Sequence, residues 1–276
     1  MLFIRLLLSA FTLLICHCGP ASGNMHPGAR SAGMAHASAA LFDFWAVGHN
    51  QAGIAKWEHP AAAIYAENRF MLKEMAFAAA AIVLPTPRGV FGLYTCYFGN
   101  QLYGEGTAGL AYARMFGKKL SAGLRLTYLY MTFPAGYKHK GTLAAELGII
   151  YELLPGLNIG VHVFNPGRAM ITRHRHLSID ERLTTVFRTG LSYTFSEKLL
   201  LSIEAKKDIR YAPAACFGAE YMITENIYVR AGLSTNPMQN TFGFGLQTKR
   251  LQINMASSYH YVLGYSPQAG LIYIIM

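Results

Sequence analysis

Charged residues are scarce in this chain. Asp, Glu, Lys and Arg make up 14% of its 276 residues, against 53% hydrophobic ones, where a soluble domain ordinarily carries about 25% charged residues. Long apolar runs are scarce as well. Beyond the N-terminus the longest is Met75 to Leu84, closed by Pro85. A membrane-crossing helix needs about 20 apolar residues, whereas a tilted barrel strand needs about 9–11. An oily chain without helical spans leaves the closed barrel as the way to satisfy every backbone group in lipid; a soluble sandwich or lipocalin-like barrel is the weaker alternative. Cysteine is rare and badly placed for a framework. Apart from Cys16 and Cys18 near the start, Cys96 and Cys216 stand far apart and read as two unpaired strand residues with no metal-ligand spacing. No nucleophile turn of the G-x-S-x-G kind occurs, and Ser257, Ser258 and His260 are neighbours only in sequence. No phosphate-binding glycine loop is present either. No enzyme, metal or cofactor is therefore expected.

What is present is alternation. In Thr185–Phe195, Phe187, Leu191, Tyr193 and Phe195 share one face with Thr189, and Arg188, Gly190, Ser192 and Thr194 share the other. Successive side chains of a strand point to opposite faces. Fourteen such stretches are predicted, at 62–71, 74–84, 88–97, 103–115, 119–131, 142–153, 157–165, 184–195, 198–207, 214–222, 226–234, 240–249, 251–259 and 266–275. Short turns at Thr86-Pro87, Gly117-Lys118, Pro155-Gly156, Ser196-Glu197 and Thr224-Glu225 alternate with longer connections at 132–141, 166–183, 208–213, 235–239 and 260–265. An even strand number and alternating connection lengths are marks of an all-β, transmembrane antiparallel outer-membrane barrel. Only the connection at Leu72-Lys73 is too short for the pattern, which raises the question of whether the first two strands are divided correctly.

Three parts follow. Residues 1–23 combine Arg5, an apolar core and Pro20-Ala21-Ser22-Gly23, the make-up of a secretory signal cut after Gly23; lipoprotein-type use of Cys16 or Cys18 is disfavoured by the residues before them. Residues 24–60 lack alternation, are rich in Ala, Gly and His, and are too apolar to float free, so they are expected to plug the barrel mouth. Residues 61–276 form the barrel. Its lumen should hold Arg125, Glu146, Arg188, Glu204, Lys206, Glu220 and Arg230, as a ladder of opposed charges or, alternatively, with an arginine greeting a carboxylate ligand. The strand glycines would relieve crowding against the plug. Leu124, Leu126, Leu147, Ile149, Leu191, Ile203, Val229, Leu233, Phe242 and Phe244 should face lipid, because a lipid-facing charge costs about 2–4 kcal/mol at the midplane. Tyr128, Tyr130, Tyr151 and Tyr193 read as interface girdle residues. His162 reads as a packed lumen residue.

The formal net charge of +10 gathers partly in two candidate extracellular loops, at Lys138 and Lys140, and at Arg168, Arg173 and Arg175. Nucleic acid is not the partner expected of an exported barrel, so these loops are expected to meet lipopolysaccharide phosphates or an anionic substrate. Outer-membrane lipid is the surrounding partner.

The stretch Gly28-Ala29-Arg30-Ser31-Ala32-Gly33-Met34-Ala35-His36-Ala37-Ser38, then Asp43, then His49-Asn50-Gln51-Ala52-Gly53-Ile54-Ala55, resembles the N-terminal signature of the FadL-like superfamily. With Arg69-Phe70, Glu74-Met75 and Phe98-Gly99 the nearer resemblance is to its PorV/PorQ-type branch. Gln51 departs from the family's usual Pro, though Gly53 still offers a tight backbone, and Met276 departs from its terminal aromatic residue. The resemblance implies fourteen strands and one of two roles. The first is a plug-gated channel for fatty-acid-like or other hydrophobic small molecules, in which Asp43, Asn50, Gln51 and Gly53 serve the plug. The second is an accessory barrel of a type IX-like secretion system that holds partner proteins through its loops, at residues such as Tyr137, Arg173 and Arg175.

Overall fold

The structure is a computed structural model that describes residues 25–100, 102–133, 140–173 and 180–276. Its strands are β1 (Ala61–Asn68), β2 (Ala76–Thr86), β3 (Gly89–Gly99), β4 (Gly104–Phe116), β5 (Leu120–Thr132), β6 (Lys140–Leu154), β7 (Leu157–Phe164), β8 (Met170–Arg173), β9 (Asp180–Arg182), β10 (Val186–Phe195), β11 (Leu199–Asp208), β12 (Ala214–Thr224), β13 (Ile227–Thr235), β14 (Met238–Gln247), β15 (Leu251–His260) and β16 (Gly264–Ile274). Fourteen of them close a barrel. Each pairs antiparallel with its sequence neighbour, β7 pairs with β10, and β16 returns to β1. Strands β8 and β9 form a separate two-stranded sheet. No described helix is long and apolar enough to cross a membrane.

All fourteen expected barrel strands are found. The differences lie between them. The first two strands are correctly divided, and seven residues with two tight 3-10 turns, Arg69–Met71 and Lys73–Met75, connect them. The connection expected at 235–239 contracts to Asn236-Pro237. Lys140, expected in a loop, opens β6 opposite Met131: the ladder continues for as long as backbone partners are available. The stretch 166–183, expected as an open loop, carries β8 and β9. Residues 1–23 and the loop residues Tyr137, Lys138, Arg175, His174 and His176 lie outside the described residues.

The outward face is apolar as expected. Leu126, Leu147 and Phe242 are more than half exposed. The inward face divides in two. On β5–β14 it is polar, with Arg125, Glu146, Arg188, Glu204, Glu220 and Arg230 buried. On β1–β4 it is mostly small and apolar, with Ala61, Ala63, Ala79, Ala81, Ala111 and Ala113. A polar lumen face was expected on nearly every strand. It fails here because the alanines leave room for aromatic side chains from within. Residues 25–57 run inside the barrel as α1 (Ala29–Gly33) and two 3-10 turns, Phe44–Gly48 and Gln51–Lys56. Phe44, Trp45, Val47 and Ile54 of this inner segment pack with Tyr65, Phe77, Val83, Tyr94 and Ile272 of the wall.

Candidate functional site

The inner segment docks by backbone approach and by charge, often on the same strands: Gly123 and Arg125 share β5, and Gly218 and Glu220 share β12. A Cβ on Gly123 would lie 2.8 Å from Ala52 N, and one on Gly218 would lie 2.5 Å from Met34 Cβ. Glycine is what allows the segment's backbone to lie against the strands. Gly53 works the same way from the segment's side: a side chain there would strike Leu41 O and Ala46 Cβ. Asn50, fully buried, caps the second 3-10 turn by accepting from Ala52 N. Its Nδ2 donates to Ala39 O at 2.6 Å and reaches Ile149 O and Val161 O at 3.3 Å. Gln51 Nε2 donates to Gly123 O, while its buried Oε1 has no partner among the described residues.

Three carboxylate centres stand on these and neighbouring strands. Arg125 Nε and Nη2 grip Glu146 at 2.9 and 2.6 Å, and Arg125 Nη1 donates to Val47 O. Thr127 and His162 complete the shell of Glu146. Arg188 Nε and Nη2 grip Glu204 at 2.6 and 2.9 Å, and Nη2 also reaches His36 O and Ser38 Oγ. Glu204 in turn accepts from the amides of Ser38 and Ala39. Glu220 is held by Arg230 from the wall and by Arg30 from the segment, at 2.6 and 2.7 Å, and Arg30 lies 4.0 Å from Asp43. Charges buried this deeply persist only when paired and hydrogen-bonded. Each centre therefore ties wall to segment as well as wall to wall. Of the four plug residues, Asn50, Gln51 and Gly53 gather on one stretch of backbone, and Asp43 stands apart beside Arg30.

Between the segment and the end of the barrel with the longer connections lies a cavity of about 20 Å³. His26, His49, Arg125, Glu146, His162 and Arg188 line its inner side, and Leu129, Phe164 and Val186 its outer side. The apolar side continues into a cap, where Leu183 packs with Leu129, Ala144, Phe164 and Val186. Asn165 holds that cap, donating to Leu183 O and Thr184 O and accepting from Ala169 N. Polar atoms without partners among the described residues cluster at the cavity: both ring nitrogens of His26, Nδ1 of His162 and Nη1 of Arg188.

Geometrically the barrel matches solved transport barrels. The Pseudomonas putida toluene transporter TodX superposes with a TM-score of 0.65 at 13% identity, over 89% of this chain and 96% of that one. A TodX deltaS2S3 mutant, described as a monoaromatic hydrocarbon channel, gives 0.67 at 13%, over 89% and 98%. A Pseudomonas aeruginosa FadL homologue gives 0.57 at 11%, over 90% and 96%. The fold is that of the FadL-type outer-membrane barrels. No family model and no curated protein matches the chain.

Against that FadL-type frame the remaining expected residues can be placed. Lys206 sits opposite Arg188 on β11. Arg168 is exposed in the turn after β7, and the backbone of Arg173 closes β8. Ser257 and Ser258 project from opposite sides of β15, and His260 Nδ1 accepts from the amides of Val262 and Leu263, so no triad assembles there. Cys96 and Cys216 are unpaired and buried. Sequence reasoning passed over His26, Asn165 and Leu183. The abundance of histidine at 24–60 was the available signal for the first, and nothing local marks the others.

Proposed function

We propose that the protein is an exported outer-membrane channel that binds and passes hydrophobic small molecules, with residues 25–57 as a displaceable plug. The observation that carries this reading is the two-sided cavity: apolar residues face the end with longer connections, and the polar centres that hold the segment face inward. A molecule arriving from outside meets the cap of Leu129, Phe164 and Leu183 first. At about 20 Å³ the cavity takes little more than a water molecule, so passage of anything larger requires the segment to move. The likeness to a toluene transporter supports the same ligand class. The longer connections would then be extracellular, and Arg168 would lie among lipopolysaccharide phosphates. The secretion reading, with its closer tie to the PorV/PorQ-type branch, has less support, since the connection it would use turns inward at Leu183.

Mass spectrometry of the protein purified from its native membrane in mild detergent tests this proposal. A stoichiometric hydrophobic molecule, lost in Asn50→Ala and kept in Arg168→Ala, is the expected result. A stoichiometric protein partner with an empty barrel would overturn it.

A further inference from the structure

We infer that the inner segment is an acid-sensitive plug: His26, His36 and His49 form an uncharged cluster that seats it, and protonation of the cluster unseats it. This rests on the plug reading above and adds its regulation.

The three rings sit within 5.5 to 6.5 Å of one another, centroid to centroid. His49 is fixed on both sides: Nε2 donates to Pro27 O at 2.5 Å, and Nδ1 meets Ser38 Oγ at 2.9 Å. A hydroxyl that donates to Nδ1 leaves the imidazole neutral. His26 and His36 are half-buried as residues, yet both ring nitrogens of His26 and Nδ1 of His36 are shut off from solvent without a partner among the described residues. The arrangement suits no metal ion. The charged and titratable groups around it come from every wall that packs on the segment. They are Arg188 on β10, Glu204 and Lys206 on β11, Cys216 on β12, Arg125 on β5, Glu146 on β6, His162 on β7, Tyr94 on β3 and Arg69 after β1. Both carboxylates in this set are committed. Glu204 is held by Arg188 and two segment amides, and Glu146 by Arg125, Thr127 and His162. A proton added to the cluster therefore meets Arg188 and Lys206 without a waiting counter-charge.

Burial first, and then Arg188 and Lys206, hold the His26 and His36 rings below the ordinary histidine value, His36 at about 3. Burial followed by Arg188 does the same for His49, despite its bond to Pro27 O. Once the segment leaves, each ring returns toward about 6.5. The sign follows: the displaced state binds more protons, so seating is complete above pH 6.5 and weakens as pH falls below it. Each histidine contributes about tenfold per pH unit to the displaced population until its seated value is reached.

The chain's two tryptophans, Trp45 and Trp57, both lie in this segment, and Trp45 is 1% exposed. In Trp57→Phe protein reconstituted into lipid vesicles, acrylamide quenching of Trp45 reports release of the segment, and circular dichroism reports the barrel. Quenching should rise severalfold from pH 7.5 to pH 5, reversibly, with the β spectrum unchanged. His26→Gln/His36→Gln should flatten the rise. Lys206→Met, which removes a facing charge and so eases protonation in the seated state, should make the rise smaller and serves if the double variant does not fold. Quenching flat with pH, or the same profile in either variant, overturns the inference. Acid release without passage of a hydrophobic probe at any pH would sink the channel reading alone; passage with flat quenching would sink this one alone.

Discussion

At Glu146 three side chains meet one carboxylate: Arg125, which holds both its oxygens, Thr127 and His162, with Arg125 carried on to Val47 of the inner segment. Removing one partner of a buried pair leaves the other uncompensated, at about 3–5 kcal/mol. Arg125→Ala is expected to cost about that much in denaturant unfolding from lipid vesicles, whereas Arg125→Met with Glu146→Leu should cost less. The alternation of β5 and β6 was enough to place these residues inside the barrel. Their partners were harder to read. Arg125 and Glu146 lie directly opposite, as do Glu220 and Arg230, but Arg188 lies opposite Lys206 and bonds diagonally to Glu204. A two-residue period tells which face a side chain takes, and only register tells what it meets. Gly218 shows the same limit: the sequence marks a missing side chain, and the fold shows Met34 occupying its place. Gly218→Val should loosen the segment while the barrel persists, seen as greater Trp45 quenching at neutral pH.

Among the elements, the strands were legible because one face meets lipid and the other does not. The inner segment has no such asymmetry. Buried on nearly all sides, it shows no period, and its short turns are held by tertiary contacts such as Asn50 with β6 and β7. The cap was hidden for a related reason. Leu183 follows β9 as one apolar residue in a polar stretch, and its burial depends on Asn165, eighteen residues earlier. Loss of a buried leucine side chain costs about 2–5 kcal/mol. Leu183→Ala should therefore release the connection between β7 and β10, measured as faster amide exchange at Ala169 and Leu183, whose backbone bond closes it. Protection unchanged from the parent would mean that the cap does not hold this connection.

For the whole molecule, closure of β1 against β16 leaves the barrel sheet no open edge on which another strand could pair. Lipid then sets the tolerance of the outer face. Leu126→Arg should cost about 2–4 kcal/mol in unfolding from bilayers if it sits near the midplane, and less nearer the interfaces. Closure also fixes where the two barrel thiols stand. Strands β3 and β12 are seven places apart around the ring of fourteen, so Cys96 and Cys216 face each other across the lumen. Each is covered by a different part of the segment: Cys96 donates to the sulfur of Met25, and Cys216 packs against Ala35 and Ala37. On a chain freed of residues 1–23, and with them Cys16 and Cys18, a water-soluble alkylating reagent would thus add one mass tag if only the start of the segment peels away, and two if the whole segment leaves. Cys96 and Cys216 then make a two-position counter of the barrel's own unblocking.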